Sequence, residues 1–124
     1  MNILLVGFGS IGQRYYKILK SAFDQTFSID ICDKEKKSSS SYNIINNLST
    51  LKKNYYDAAF ILTPAKGRYK IIKLLIEMNI KYFFIEKPLS LTIKESNKIG
   101  TLLHSNNCYA HISCNLRFHK ALKI

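Results

Sequence analysis

Three glycines at the first turn constrain this chain more than any other feature. Residues 2–7, Asn-Ile-Leu-Leu-Val-Gly, form a short apolar run that closes on glycine. Such a run fits a strand covered on both faces, as in a parallel sheet. Gly7-Phe8-Gly9-Ser10-Ile11-Gly12 follows at once, and Ile11, Tyr15, Ile18, Leu19 and Ala22 then recur at helical spacing. The string G-x-G-x-x-G between a strand and a helix says far more than the string alone. Gly7 allows a tight turn, Gly9 lets the backbone approach a pyrophosphate, and Gly12 lets helix and strand pack closely. The helix N-terminus adds free amides and the positive end of its dipole. A dinucleotide site is therefore expected here, built from Gly7, Phe8, Gly9, Ser10, Ile11 and Gly12.

The rest of the chain repeats the alternation. Phe27 to Cys32 is a second apolar run ending at Asp33, and the polar, serine-rich stretch from Lys34 to Ser41 reads as a loop. Ile44, Ile45, Leu48 and Leu51 predict a helix over 42–53. Ala58 to Leu62 is the next strand, closed by Thr63-Pro64, since proline cannot continue a central strand. Tyr69, Ile72, Leu75 and Ile76 mark a helix, Tyr82 to Ile85 a strand, Leu91 to Leu103 a helix and Tyr109 to Ile112 the last strand. Strand and helix in strict alternation specify an α/β fold, a Rossmann-like doubly wound parallel sheet in a single domain over 1–124. Residues 1–114 form its core and 115–124 begin a connection onward.

Composition narrows the function classes. The chain has 124 residues with 47% hydrophobic and 22% charged, which excludes a disordered chain, a collagen-like repeat and a coiled coil. No apolar stretch is long enough to span a membrane, and no secretion signal is read at the N-terminus. The net charge of +11 comes from 19 basic residues, of which 16 are lysine. A lysine bias without arginine clustered among aromatics reads as solvated surface, so no nucleic-acid partner is expected. Cys32, Cys108 and Cys114 form no C-x-x-C pair, which points to buried thiols in a reducing cytoplasm.

Asp33 lies 21 residues after Gly12, at the end of the second strand. A carboxylate there accepts ribose hydroxyls and repels a 2′-phosphate, which favours NAD over NADP. Lys34 beside it can offset a phosphate's charge and leaves NADP open. Asp33, Thr63, Glu86, Lys87 and Asn115 all fall at the carboxyl ends of strands, where ligands bind in such sheets.

Thr63-Pro64, then Phe84-Ile85-Glu86-Lys87-Pro88-Leu89-Ser90, then Asn115-Leu116-Arg117-Phe118-His119 resemble the glucose-fructose oxidoreductase / inositol dehydrogenase family. The chain is similar to its N-terminal nucleotide-binding domain over nearly all its length. The resemblance implies that Lys87 lies near the nicotinamide ribose and substrate and is catalytic, and that Pro88 helps shape the turn around the nicotinamide. It implies cofactor contacts from Asp33, Lys34, Thr63, Pro64, Glu86, Lys87 and Asn115. Tyr15 and Arg68 stand where the family tends to have histidine. Arg68 is expected either to reach a phosphate or acidic sugar, or to begin an exposed helix turn. The span from Asp33 to Asp57 is short for this family, so one strand is expected to be vestigial or missing. His104, His111 and His119 are poor metal candidates, and no metal site is expected.

The relatives transfer hydride between a nicotinamide cofactor and a sugar, cyclitol or related polyol. The chain is expected to be the N-terminal part of such an enzyme, without the family's second domain and with little or no turnover as it stands. The alternative is a noncatalytic nucleotide-binding or regulatory module. On either reading, without the second domain that would normally cover them, apolar residues near Phe118 and Leu122 are expected to lie exposed and invite self-association.

Overall fold

The computed structural model describes residues 1–23 and 26–122. Strand β1 (Asn2–Val6) leads into helix α1 (Ser10–Phe23), then β2 (Ser28–Cys32) and the two-residue β3 (Ile44–Ile45). Strand β4 (Ala58–Ile61), helix α2 (Arg68–Glu77), β5 (Tyr82–Glu86), helix α3 (Ile93–Ser105) and β6 (Tyr109–Ser113) follow. The strands form one sheet in the order β3-β2-β1-β4-β5-β6, and every neighbouring pair is parallel. Strands β2 and β3 are added on one side of β1 and β4, β5 and β6 on the other, and that reversal of strand order creates a crevice at the carboxyl ends of β1 and β4.

Side-chain alternation along the strands builds two cores. Ile3, Leu5 and Ile31 pack with Leu19 of α1 on one face. Leu4, Val6, Cys32, Ala59, Ile61, Phe83 and Ile85 pack with Ile72 and Leu75 of α2 and Ile99 and Leu103 of α3 on the other. Leu4, Leu5, Ile61 and Ile85 are fully buried. Each such side chain contributes about 1.5–3 kcal/mol of burial free energy, so the loops at the strand ends rest on a firm base.

The α1 side of the sheet is unevenly covered. Register places Phe60, Phe84 and His111 in one row across β4, β5 and β6, and Ala58, Tyr82 and Tyr109 in the next. Phe84 stacks on both Phe60 and His111, and Tyr82 stacks on Tyr109. Tyr15 of α1 packs against Phe60 and Phe84 in the first row, whereas Tyr109 in the second is 68% exposed.

The helix expected over 42–53 does not form. Ile44 and Ile45 pair with Ile31 and Cys32 as the short β3, and only a single 3-10 turn (Leu48–Thr50) follows. The reason is local: the Asn47 side chain accepts the Ser49 amide at 2.9 Å, and Asn46 Nδ2 donates to the Asp33 and Lys36 carbonyls. Asparagine side chains compete here with a helical ladder and win. The vestigial strand expected from the short span is β3 itself.

Candidate functional site

The glycine turn sits at the crevice, and its three glycines serve different ends. Gly7 adopts φ of +97°, and a Cβ there would lie 2.8 Å from the Thr63 amide nitrogen. A Cβ on Gly12 would lie 2.3 Å from the Gly7 carbonyl oxygen. Both positions are therefore dictated by the chain itself. Gly9 differs, since no atom lies within 4 Å of where its Cβ would stand. Its bare backbone borders open space. Ser10 and Ile11 begin α1 and are exposed, whereas the Phe8 ring is buried against Tyr16 and Tyr42. Phe8 can offer the crevice only its backbone.

Asp33 ties the end of β2 to this turn. Its Oδ2 accepts the Phe8 amide at 2.7 Å, and its Oδ1 accepts the Glu35 and Lys36 amides at 2.9 and 3.0 Å. Burial disfavours the ionised carboxyl, but these three amides and the Lys36 charge outweigh it and hold the group below the usual carboxylate range. A carboxylate offers about four lone-pair sites, so roughly one remains for an incoming hydroxyl. Lys34 is solvent-exposed, with Nζ 3.9 Å from Glu35. Next to Asp33, burial and the neighbouring carboxylate push the Cys32 thiol up to about 11, which keeps it protonated and inert.

The ends of β4 and β5 are joined by Arg68, the first residue of α2. It is 1% exposed. Nε donates to the Thr63 carbonyl at 3.2 Å, Nη2 donates to that same oxygen, and Nη1 donates to the Glu86 and Pro88 carbonyls. Arg68 therefore neither reaches into the crevice nor starts an exposed turn, contrary to both expectations, because three backbone carbonyls consume its donors. Sequence held one clue: a cation in the first turn of a helix opposes the dipole and needs another reason to be there. Lys87 and Pro88, joined by a cis peptide bond, are exposed on the turn so held.

Tyr15 makes the third tie. Its hydroxyl lies 3.0 Å from Ser113 Oγ and donates to Glu86 Oε2 at 3.4 Å, linking α1 to the ends of β5 and β6. Thr63 Oγ1 is buried with no hydrogen-bond partner. Pro64 beside it is exposed, as is Asn115, which opens a 3-10 turn two residues past β6. The structure thus gathers Gly7, Gly9, Gly12, Asp33, Thr63, Glu86 and Lys87 along one edge of the sheet and leaves Asn115 at its margin. Cys108 and Cys114 are half-buried, not buried as expected, because they flank the exposed edge strand β6. Among the described residues no three His, Cys, Asp or Glu side chains cluster, and no helix is long and apolar enough to cross a membrane.

A family profile described as "Oxidoreductase family, NAD-binding Rossmann fold" matches residues 1–113. The fold is shared with solved structures of low identity. The WlbA dehydrogenase from Bordetella pertussis, in complex with NADH and UDP-GlcNAcA, superposes with a TM-score of 0.80 at 14% identity, over 98% of this chain and 39% of that one. The WlbA dehydrogenase from Chromobacterium violaceum, with the same two ligands, gives 0.79 at 15% identity, over 95% and 36%. An NAD-binding protein from Listeria innocua gives 0.76 at 21% identity, over 94% and 36%. The chain thus spans little more than a third of the length of these structures. No curated protein matches it. The chain belongs to the NAD-binding Rossmann-fold oxidoreductase family.

Proposed function

We propose, from that membership, that the chain is the nucleotide-binding part of an oxidoreductase that transfers hydride between NAD(H) and a hydroxyl-bearing carbon of a sugar, cyclitol or related polyol. The observation that carries the reading is the unobstructed backbone at Gly9, in a turn whose Phe8 amide is held by the Asp33 carboxylate and whose Gly7 packs against the Thr63 backbone. A pyrophosphate over Gly9 would meet the amides that open α1. The residual acceptor capacity of Asp33 suits a ribose hydroxyl and disfavours a 2′-phosphate, so NAD is preferred to NADP. Thr63, with its buried and unpartnered hydroxyl, stands with Pro64 and Glu86 at the strand ends assigned to the nicotinamide half. When bound, the nicotinamide supplies or takes up the hydride.

Lys87 is the proton-transfer group in this reading. Its ammonium donates a proton to the developing alkoxide when a ketone is reduced, and its amine takes the hydroxyl proton in the reverse direction. The sugar class is supported by the UDP-GlcNAcA seen with the two WlbA dehydrogenases. Self-association is part of the same reading, since Phe118 and Leu122 are exposed as expected and Tyr82 and Tyr109 add an apolar sheet face.

A fluorescence titration with NADH tests the cofactor assignment. Saturable enhancement of nicotinamide emission, displaced by NAD at lower concentration than by NADP, is the expected result. Absence of any enhancement with a folded chain contradicts it. A second reading is nucleotide binding without catalysis. It predicts binding by this chain with no change in NADH absorbance on addition of UDP-GlcNAcA and NAD.

A further inference from the structure

Among the described residues Arg68 is the one charged side chain that is buried. Such a cation is tolerated only when its donors are taken. Here no carboxylate pairs with it at contact distance, although Glu86 is near enough to favour its charge against the burial that opposes it. All its donors in use go to main-chain carbonyls instead. Two of those carbonyls belong to Glu86 and Pro88, the residues immediately before and after Lys87. Both are held by a single nitrogen, Nη1. The third, Thr63, belongs to the strand end against which Gly7 packs without room for a side chain. One guanidinium therefore spans from the glycine turn to both sides of Lys87.

We propose that Arg68 is a positioning residue for Lys87: it fixes the main chain on both flanks of that lysine and so aims its side chain along the crevice. This rests on the reading of Lys87 given above. The planar fork is what the task requires, because a guanidinium donates in several fixed directions from three nitrogens. An ammonium donates from one point and cannot reach the Thr63 carbonyl and the two carbonyls about Lys87 together.

Acetylation of Lys87 by an N-hydroxysuccinimide ester, read by peptide mass spectrometry with and without saturating NADH, tests this. Exposed Lys94 serves as internal reference in the same spectra. In the unaltered chain bound NADH is expected to slow Lys87 acetylation about tenfold relative to Lys94, since a group held in register with a ligand is shielded by it. Arg68→Met and Arg68→Lys are expected still to bind NADH, up to about tenfold more weakly, because Thr63 loses one of its holds while Asp33 keeps its three amides, and protection is compared at saturation for each protein. Yet in both the protection falls to about twofold or less, because a displaced Lys87 no longer lies against the ligand. A purely structural Arg68 would lower the melting temperature and leave protection intact in whatever fraction is folded. Should Arg68→Met fail to fold, Arg68→Lys alone decides. Full protection in a folded Arg68 variant overturns the positioning role while leaving the cofactor reading in place. Failure of the parent chain to bind NADH, or to protect Lys87 when it binds, overturns the cofactor or Lys87 assignment and the positioning role with it.

Discussion

The Asp33 carboxylate accepts the Phe8 amide at 2.7 Å, so the first residue after β2 holds the glycine turn that follows β1. Three amides in all converge on this one side chain. Asp33→Ala should cost about 1–3 kcal/mol of stability by leaving these donors to water or to nothing, and should weaken nucleotide binding as well. Chemical denaturation and a binding titration on the same preparation separate the two effects.

The same contacts set a pH dependence. The folded-state pKa of Asp33 is depressed, so its contribution is complete above the unfolded value of about 4 and is lost as pH falls through the lower folded value. Melting temperature between mildly and strongly acidic pH should therefore fall more steeply in the parent than in Asp33→Asn, which carries no such titration. Parallel acid slopes in the two proteins would contradict this account.

Gly9 and Gly12 should behave in opposite ways. Gly12→Ala drives a methyl group to within 2.3 Å of a backbone oxygen, and should unfold the chain or displace α1. Gly9→Ala meets open space, and its stability should change by about 0.5 kcal/mol or less. The same methyl fills the cradle, so NAD binding should be lost in a protein that melts like the parent. Circular dichroism and titration together check the pair.

Tyr15→Phe removes the hydroxyl that joins Ser113 to Glu86. Ser113 is buried, so the loss should be about 1 kcal/mol, seen as a drop of a few degrees in melting temperature. The ring contacts with Phe60 and Phe84 remain, which limits the loss to the hydrogen bonds.

The exposed aromatic face should show itself in solution. Tyr82 and Tyr109 stack on each other at 5.5 Å between ring centroids with solvent above them. Concentration-dependent sedimentation is expected, reduced in a Tyr82→Lys, Tyr109→Lys double variant. Identical profiles for parent and variant would place any association elsewhere.

The sheet was legible in the sequence because buried parallel strands read as unbroken apolar runs, and the glycine turn because its spacing sat between a strand and a helix. The segment after Asp33 was misread. Ile44, Ile45, Leu48 and Leu51 carry a helical period, but Asn46, Asn47 and Ser49 supply the local hydrogen bonds that override it. Arg68 was misread for a different reason. Sequence does not distinguish a solvated arginine from one that three carbonyls have drawn into the interior, since those carbonyls come from residues 63, 86 and 88 and meet only in the fold. Phe8 stood inside the motif, yet its ring belongs to the core. Motif spacing locates a backbone and does not say which way a side chain turns.

Isothermal calorimetric titration of the 124-residue chain with NAD and with NADP, alongside Asp33→Ala, tests the central claim most directly. The account predicts saturable NAD binding, tighter than NADP and weakened about tenfold or more in the variant, in line with loss of a charge-assisted hydrogen bond. No heat of binding from either dinucleotide, with a chain whose melt is cooperative, would contradict it and leave the glycine turn as architecture alone.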